Sequence, residues 1–180
     1  MTVIDPCDAL DTAQAVEAIA EYNGPVYMRL LRGKVPMVLD EYDYRFELGK
    51  AALLRDGKDV LIISSGIMTM RALEVARALG DGRADVAVLH VPTIKPLDEA
   101  TIIEQCRRSG RLVVIAENHS TVGGLSEAIA LALLKAGVAP TLRQVALPDA
   151  FLDAGALPTL HDRYGISTEM MVANICQWLK

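Results

Sequence analysis

From residue 57 onward, short apolar runs alternate with longer segments in which apolar residues recur at helical spacing. The three clearest runs are VLIISS (60–65), VAVLHV (86–91) and RLVVIA (111–116). Because such runs place apolar residues on both faces of a strand, both faces must be covered by other elements. The alternation therefore predicts an α/β domain of three layers, in which helices cover both faces of a mostly parallel sheet.

Helical spacing of apolar residues predicts helices over 67–79, 97–108 and 124–136. TLRQVAL (141–147) is less apolar and alternates more, so we expect an edge strand there, followed by two more helices. LLRDG (53–57) is predicted to form a turn that leads into the first strand of the sheet.

The N-terminal segment has a shorter pattern. A helix is predicted over 8–21, and a strand is predicted in GPVYMRLL (24–31), which begins with a Gly-Pro break. One helix and one strand cannot bury a core of their own, so we expect residues 1–32 to be the end of a larger domain. Residues 33–56 mix Pro, charges and tyrosines without a clear period, which indicates a linker to the α/β domain at 57–180.

Composition and charge exclude several classes of protein. The formal net charge is -5 and no basic run is present, which argues against a nucleic-acid partner. The longest apolar stretches fall short of the roughly 20 residues of a membrane span, and residues 1–20 lack the pattern of a signal peptide. The cysteines Cys7, Cys106 and Cys176 are odd in number and widely spaced, so they are interpreted as reduced thiols of a cytoplasmic protein.

Two polar clusters directly follow predicted strands: Ser65 lies in SSG, and Glu117 and His119 lie in ENHS. In open parallel sheets, ligands bind beyond the carboxyl ends of the strands, where the N-termini of the following helices favour anions. One interpretation is therefore an anion-binding or acid-base site formed by Ser65, Glu117 and His119. The other is structural, with polar side chains that cap helices and hold the turn. We favour the structural interpretation, because the serines of SSG and ENHS do not lie in the Gly-x-Ser-x-Gly turn of a nucleophile elbow.

Five further polar residues are interpreted from their positions. Arg29 and Arg32 lie three apart on an extended segment, so they point to opposite faces and at most one can serve a single site. An arginine at a strand end suits a bidentate contact with phosphate, although an ion pair is the more common role. His90 lies inside a buried strand and is expected to have satisfied hydrogen bonds. His161 is expected to be solvent-exposed on a surface helix, and Asp98 is predicted to cap the following helix.

Six segments carry a resemblance to a known family. They are GPVYMRLLRG, SSGIM, PTIKPLDEATI, VVIAENHSTVGGLSEAIA, LPDAFLDAG and HDRYGIS. In this order and spacing they resemble the C-terminal part of the transketolase family, and residues 57–180 resemble its C-terminal domain, which mainly supports dimer formation. The likeness is closest to the C-terminal subunit of split bacterial transketolases. Deoxyxylulose-phosphate synthase and the β subunits of 2-oxoacid dehydrogenases are relatives.

The resemblance implies a cofactor, thiamine diphosphate with magnesium, that is held between two domains. Residues 1–32 resemble only the last helix and strand of the pyrimidine-binding domain, and the cofactor-activating glutamate would lie upstream of Met1. Arg32 resembles the arginine that contacts the phosphate of a sugar phosphate substrate. GDG (80–82) matches the start of the diphosphate-binding motif but closes a helix, so a turn is predicted there. We therefore expect neither catalysis nor a bound cofactor from this chain alone.

The leading hypothesis is the C-terminal portion of a transketolase, which transfers a two-carbon ketol unit between sugar phosphates. It would act as a homodimer or in assembly with the missing N-terminal part, and alone it would expose the apolar face of the helix at 9–20. An alternative is a stand-alone dimerisation or regulatory module that binds a small anion at the SSG and ENHS loops. A third is part of deoxyxylulose-phosphate synthase or of a 2-oxoacid dehydrogenase β subunit, although IKPLD and ENH with GGL favour a split transketolase.

Overall fold

The computed structural model describes residues 1–31 and 33–180. The strands are β1 (Thr2–Ile4), β2 (Val26–Met28), β3 (Ala52–Arg55), β4 (Val60–Ser64), β5 (Val86–His90), β6 (Thr93–Lys95), β7 (Leu112–Ser120) and β8 (Thr141–Leu147). The helices are α1 (Ala9–Ala20), α2 (Ile67–Leu79), α3 (Glu99–Arg107), α4 (Leu125–Lys135), α5 (Leu157–Arg163) and α6 (Thr168–Trp178). Within the described ranges, no helix combines the length and the apolar character needed to cross a bilayer.

Five strands form the larger sheet, in the order β3-β5-β4-β7-β8. Four of them run parallel, and β3 pairs antiparallel with β5 at one edge. β4 and β5 are buried along their whole length. On β4, Leu61 and Ile63 share a core cluster with residues of α3 and α4, whereas Val60 and Ile62 share one with residues of α2 and α6. The predicted α/β fold, with helices on both faces of a mostly parallel sheet, is confirmed.

Two local predictions for this sheet are also confirmed. TLRQVAL forms β8, which pairs with β7 and lies at the opposite edge from β3. Asp98 is the N-cap of α3, where its side chain accepts the backbone N–H of Thr101 at 3.2 Å. Both features follow from local sequence, because an alternating strand and a capping aspartate are marked by the residues themselves.

The turn predicted for LLRDG is wrong, because Ala52–Arg55 forms the edge strand β3. Leu54 is partly buried against the core, whereas Leu53 and Arg55 are exposed. Four residues with this alternation suffice for a strand with one face on the core. One strand of the larger sheet therefore lies within the segment 33–56 that was predicted to be a linker.

The N-terminal segment takes part in a second, smaller sheet. Here β1 pairs in parallel with β2 and antiparallel with β6, a strand that follows β5 closely in the chain. Helix α1 forms where it was predicted, and its N-cap Asp8 accepts the N–H of Asp11 at 3.0 Å. The other oxygen of Asp8 accepts the N–H groups of Val38 and Leu39 at 2.8 and 3.0 Å. One carboxylate thus both caps α1 and fixes the segment that follows β2.

Candidate functional site

Glu117 lies at the centre of the ENHS cluster, and its side chain is fully buried. One carboxylate oxygen accepts the N–H of Leu125 at 2.6 Å, and the other accepts the N–H and the hydroxyl of Ser126 at 2.9 and 2.6 Å. These two residues open α4, so Glu117 supplies the negative charge that a helix start favours. A Cβ at Gly124 would overlap this carboxylate, so the close approach requires glycine.

Ser65 has a partner in the N-terminal segment. Its hydroxyl donates to Oδ2 of Asp5 at 2.7 Å, and the N–H of Gly66 donates to the carbonyl oxygen of Asp5 at 2.9 Å. Gly66 has a φ of 55°, and a Cβ there would lie 2.7 Å from Oδ1 of Asp5. These contacts join the end of β1 to the start of α2. Sequence reasoning missed Asp5, because no local pattern marks a partner 60 positions away.

Asp5 and Arg29 line a small cavity of about 90 Å³, together with Asn118. Nη1 of Arg29 lies 3.7 Å from Oδ2 of Asp5 and, among the described residues, has no hydrogen-bond partner. Burial raises the pKa of the Asp5 carboxyl, although the hydrogen bond from Ser65 and the charge of Arg29 oppose this shift. Arg29 thus takes the ion-pair role, and Ser65 is the member of the proposed anion site that bonds to Asp5 at this crevice.

His119 is partly buried, and its Nδ1 lies 3.1 Å from the carbonyl oxygen of Ser120, to which it donates. The three candidate residues lie at the carboxyl ends of neighbouring strands, but each bonds to a different group. Ser65 bonds to Asp5, Glu117 to the start of α4, and His119 to the adjacent backbone. The anion-binding site of Ser65, Glu117 and His119 stays a prediction.

The remaining substrate and cofactor candidates are Arg32 and the GDG motif at 80–82. Arg32 lies outside the described residues, so its predicted contact with a phosphate stays a prediction. GDG follows α2, where Gly80 is the C-cap and Gly82 has a φ of 85°, so the predicted turn is confirmed. Across the described ranges, no three His, Cys, Asp or Glu side chains are grouped closely enough to hold a metal ion.

His90 is a core histidine with both ring nitrogens hydrogen-bonded, as predicted. Nδ1 lies 2.8 Å from the hydroxyl of Thr69, and Nε2 lies 3.0 Å from Oδ2 of Asp11. The hydroxyl of Tyr44 donates to the other oxygen of Asp11 at 2.7 Å. Because a carboxylate only accepts, Nε2 of His90 carries a proton. The network connects β5 with α1, and the sequence pattern marks neither Asp11 nor Tyr44 as a partner.

His161 is 4% exposed, so the prediction that it faces solvent is wrong. Its Nδ1 lies 2.6 Å from Nη2 of Arg71 on α2. A guanidinium only donates, so Nδ1 accepts this hydrogen bond. The error arises because a short helix such as α5 does not reveal from its own residues which face another helix will cover.

The family model for the transketolase C-terminal domain matches residues 49–171. The chain belongs to this family. The match begins just before β3 and ends within α6, so it contains the larger sheet and most of the helices around it. The family membership predicted from the six sequence segments is confirmed.

Two curated relatives and one solved structure show how this member compares with others. The chain is 67% identical over 180 residues to a transketolase family protein of Sinorhizobium fredii, covering 99% of the chain and 52% of that relative. It is 39% identical over 172 residues to a 6-deoxy-6-sulfo-D-fructose transketolase subunit of a Clostridium species, covering 96% of the chain and 52% of the relative. A structure described as a split gene transketolase, inactive beta4 tetramer, matches with a TM-score of 0.90 and 38% identity, over 99% of this chain and 58% of that one. The chain therefore spans about half the length of these two curated relatives.

Proposed function

We propose that this chain is the C-terminal portion of a thiamine-diphosphate-dependent transketolase, which transfers a two-carbon ketol unit between sugar phosphates once assembled. The observation that carries the proposal is the match to a transketolase subunit over almost the whole chain but only 52% of that subunit. The matches extend to 1-deoxy-D-xylulose-5-phosphate synthases, with 32% identity in one case, so that activity is the nearest enzymatic alternative.

The N-terminal segment supports the proposal through its exposed apolar side chains. In the smaller sheet β2 lies at the edge, and Tyr27 on it is 52% exposed. Leu30 is 62% exposed and Val16 of α1 is 47% exposed. An open strand edge beside exposed apolar residues favours contact with further elements. We assign residues 1–32 to the end of a pyrimidine-binding domain whose other strands lie outside this sequence.

The described residues offer no set of side-chain ligands for the magnesium ion of the cofactor. They contain no group of three His, Cys, Asp or Glu side chains that could hold a metal ion, and GDG forms the turn after α2. We therefore place cofactor binding in the parts of the assembled enzyme that this chain lacks. The role of this chain is structural, because Asp5, Asp8 and Asp11 fix the N-terminal segment that leads to Arg32. Arg32 would then contact the phosphate of the sugar phosphate.

We propose a cytoplasmic assembly with the missing N-terminal transketolase part, or a homodimer. The related solved structure is described as an inactive tetramer of β chains, which favours self-association as a second candidate role. All three cysteines are free, and burial raises the pKa of the Cys106 thiol to about 11, which suits a reduced and unreactive thiol at that position.

The test replaces the matching part of the Clostridium subunit with this chain and measures ketol transfer together with the other components of that enzyme. We expect the chimera to be active, Arg32→Ala in the chimera to weaken sugar phosphate binding, and the isolated chain to be inactive. A folded chimera without activity, beside an active native subunit, would contradict the proposal.

A separate measurement uses the isolated chain with millimolar thiamine diphosphate and magnesium. A ligand at about 100 times its dissociation constant adds roughly 2.7 kcal/mol to the free energy of unfolding, which shifts the melting temperature by a few degrees. We expect no shift. A clear shift would mean that this chain holds a cofactor site by itself.

A further inference from the structure

A cavity of about 200 Å³ lies between the start of α2, helix α5 and the segment that follows β2. Its apolar walls include Ile67 and Met70 of α2 and Leu157 of α5. His161 is buried and Arg71 is partly buried, and both contribute polar groups to the lining. Lys34 adds a charge from an exposed position. Apolar walls with a few placed polar groups are typical of pockets for small molecules. Leu31 and Gly33 also line this cavity, whereas the transketolase role proposed above assigns no function to Arg71 or His161.

In the part of the chain that the structure describes, Arg71 has no direct counter-ion. No described carboxylate lies within 4.0 Å of its guanidinium, and Nε is buried without an acceptor among the described residues. Within residues 1–31 and 33–180, the one hydrogen bond of Nη2 goes to Nδ1 of His161. Burial lowers the pKa of Arg71, and the charges of Glu74 and Glu169 oppose this shift from a greater distance.

We propose that this cavity binds a small organic acid with one negative charge. Its carboxylate would meet the guanidinium of Arg71, since these two planar groups form paired, charge-assisted hydrogen bonds. Its apolar body would lie against the walls formed by Ile67, Met70 and Leu157. The volume far exceeds the roughly 10–15 Å³ that one water molecule needs, so a ring or a branched chain can enter.

The charges around Arg71 favour a single negative charge over a phosphate dianion. Glu74 and Glu169 lie near enough to act on Arg71, so they also repel an anion beside it. This repulsion is larger for a dianion than for a carboxylate. Inorganic phosphate therefore serves as the competing probe.

His161 provides an internal reporter of binding. Burial and the charge of Arg71 lower the pKa of His161. An anion beside Arg71 offsets part of that charge, so it raises the pKa of His161 towards its ordinary value. A ligand that binds elsewhere on the surface does not produce this shift.

The experiment titrates the full chain with benzoate and follows the Arg71 Nε–H and the His161 ring by NMR. Benzamide is the matched neutral ligand, and phosphate is the dianion. We expect benzoate to shift both signals with a dissociation constant in the millimolar range, and benzamide and phosphate to bind at least about tenfold more weakly, since a hydrogen bond between charged groups contributes on this scale. Equal binding of benzamide, or stronger binding of phosphate, would overturn the proposal.

Variants locate the site on α2. Arg71→Met keeps the length of the side chain and should weaken benzoate binding about tenfold or more, whereas Arg71→Lys should retain part of it. Arg77→Met is the control on the same helix, because the Arg77 side chain is 53% exposed and pairs with Glu41 at 2.7 Å. It should bind benzoate like the unmodified chain.

If Arg71→Met does not fold, Arg71→Lys and the comparison of benzoate with benzamide still decide the outcome. Unchanged affinity in a folded Arg71→Met, or no shift at Arg71 and His161, would overturn the proposal.

Discussion

Nε2 of His90 lies 3.0 Å from Oδ2 of Asp11, and neither side chain has any exposed surface. Asp11 belongs to α1 in the N-terminal segment, whereas His90 ends β5 in the larger sheet. Tyr44, from the segment between them, donates to the same carboxylate at 2.7 Å. The N-terminal segment is therefore attached to the α/β domain by a buried and hydrogen-bonded acid. Such an attachment fixes its orientation more strictly than apolar contact alone, because each bond has a defined geometry.

We predict that Asp11→Ala destabilises the folded chain by about 3 kcal/mol or more, because it leaves the buried His90 and Tyr44 without their acceptor. The measurement is urea unfolding followed by circular dichroism. Glu17→Ala is the control, since Glu17 is an exposed residue of the same helix and its loss should change stability by less than about 0.5 kcal/mol. Equal effects of the two variants would mean that the buried network contributes nothing measurable.

The same carboxylate predicts part of the acid sensitivity of the fold. Burial opposes ionisation of Asp11, but hydrogen bonds from His90, Tyr44 and the N–H of Cys7 outweigh it, so the pKa lies below its ordinary value of 3.8. Ionised Asp11 therefore stabilises the fold above about pH 4, and this contribution is lost as the pH falls through the folded-state pKa. Unfolding free energies measured from pH 7 to pH 2 should fall more steeply in the unmodified chain than in Asp11→Asn. Parallel curves for the two proteins would show that the pKa of Asp11 is the same in the folded and the unfolded chain, which would contradict the prediction.

Glu117 should affect stability more than a neighbouring acid that has only one exposed contact. Removing it in Glu117→Ala leaves three donors at the start of α4 without their acceptor, at an expected cost of about 2 kcal/mol or more. Glu127→Ala is the matched variant, because the exposed Glu127 accepts a single bond from the N–H of Gly123. Its cost should stay below about 1 kcal/mol. Thermal unfolding of both variants makes the comparison. A larger loss of stability in Glu127→Ala would mean that Glu127, rather than Glu117, is the main acceptor that stabilises the start of α4.

The sequence predicts the larger sheet well because the signals for it are local. Each of β4, β5 and β7 begins as an apolar run, and the side chain of Asp98 marks the start of α3. The site is different, because its polar contacts join residues that are far apart in the chain. Ser65 bonds to Asp5 across 60 positions, and Arg71 bonds to His161 across 90. Whether a polar residue faces solvent or a distant partner depends on packing that helical and strand periods do not encode.

Asp5 should respond to pH in the opposite sense to Asp11. Burial raises the pKa of Asp5 above its ordinary value of 3.8, more than the hydrogen bond from Ser65 and the charge of Arg29 lower it. At pH values between 3.8 and the raised pKa, Asp5 is protonated in the folded chain but ionised in the unfolded chain. The free energy of unfolding therefore decreases as the pH rises through this window. Asparagine keeps an oxygen that can accept from Ser65 and carries no charge, so Asp5→Asn should be at least as stable as the unmodified chain at pH 7 and lack this loss.

Ser65→Ala should cost about 1–3 kcal/mol at pH 7, because it removes a donor from a buried carboxylate. Unfolding free energies of the three proteins between pH 4 and pH 8 test the sign, and a marked destabilisation of Asp5→Asn at pH 7 would show that the charged pair with Arg29 outweighs the cost of burial.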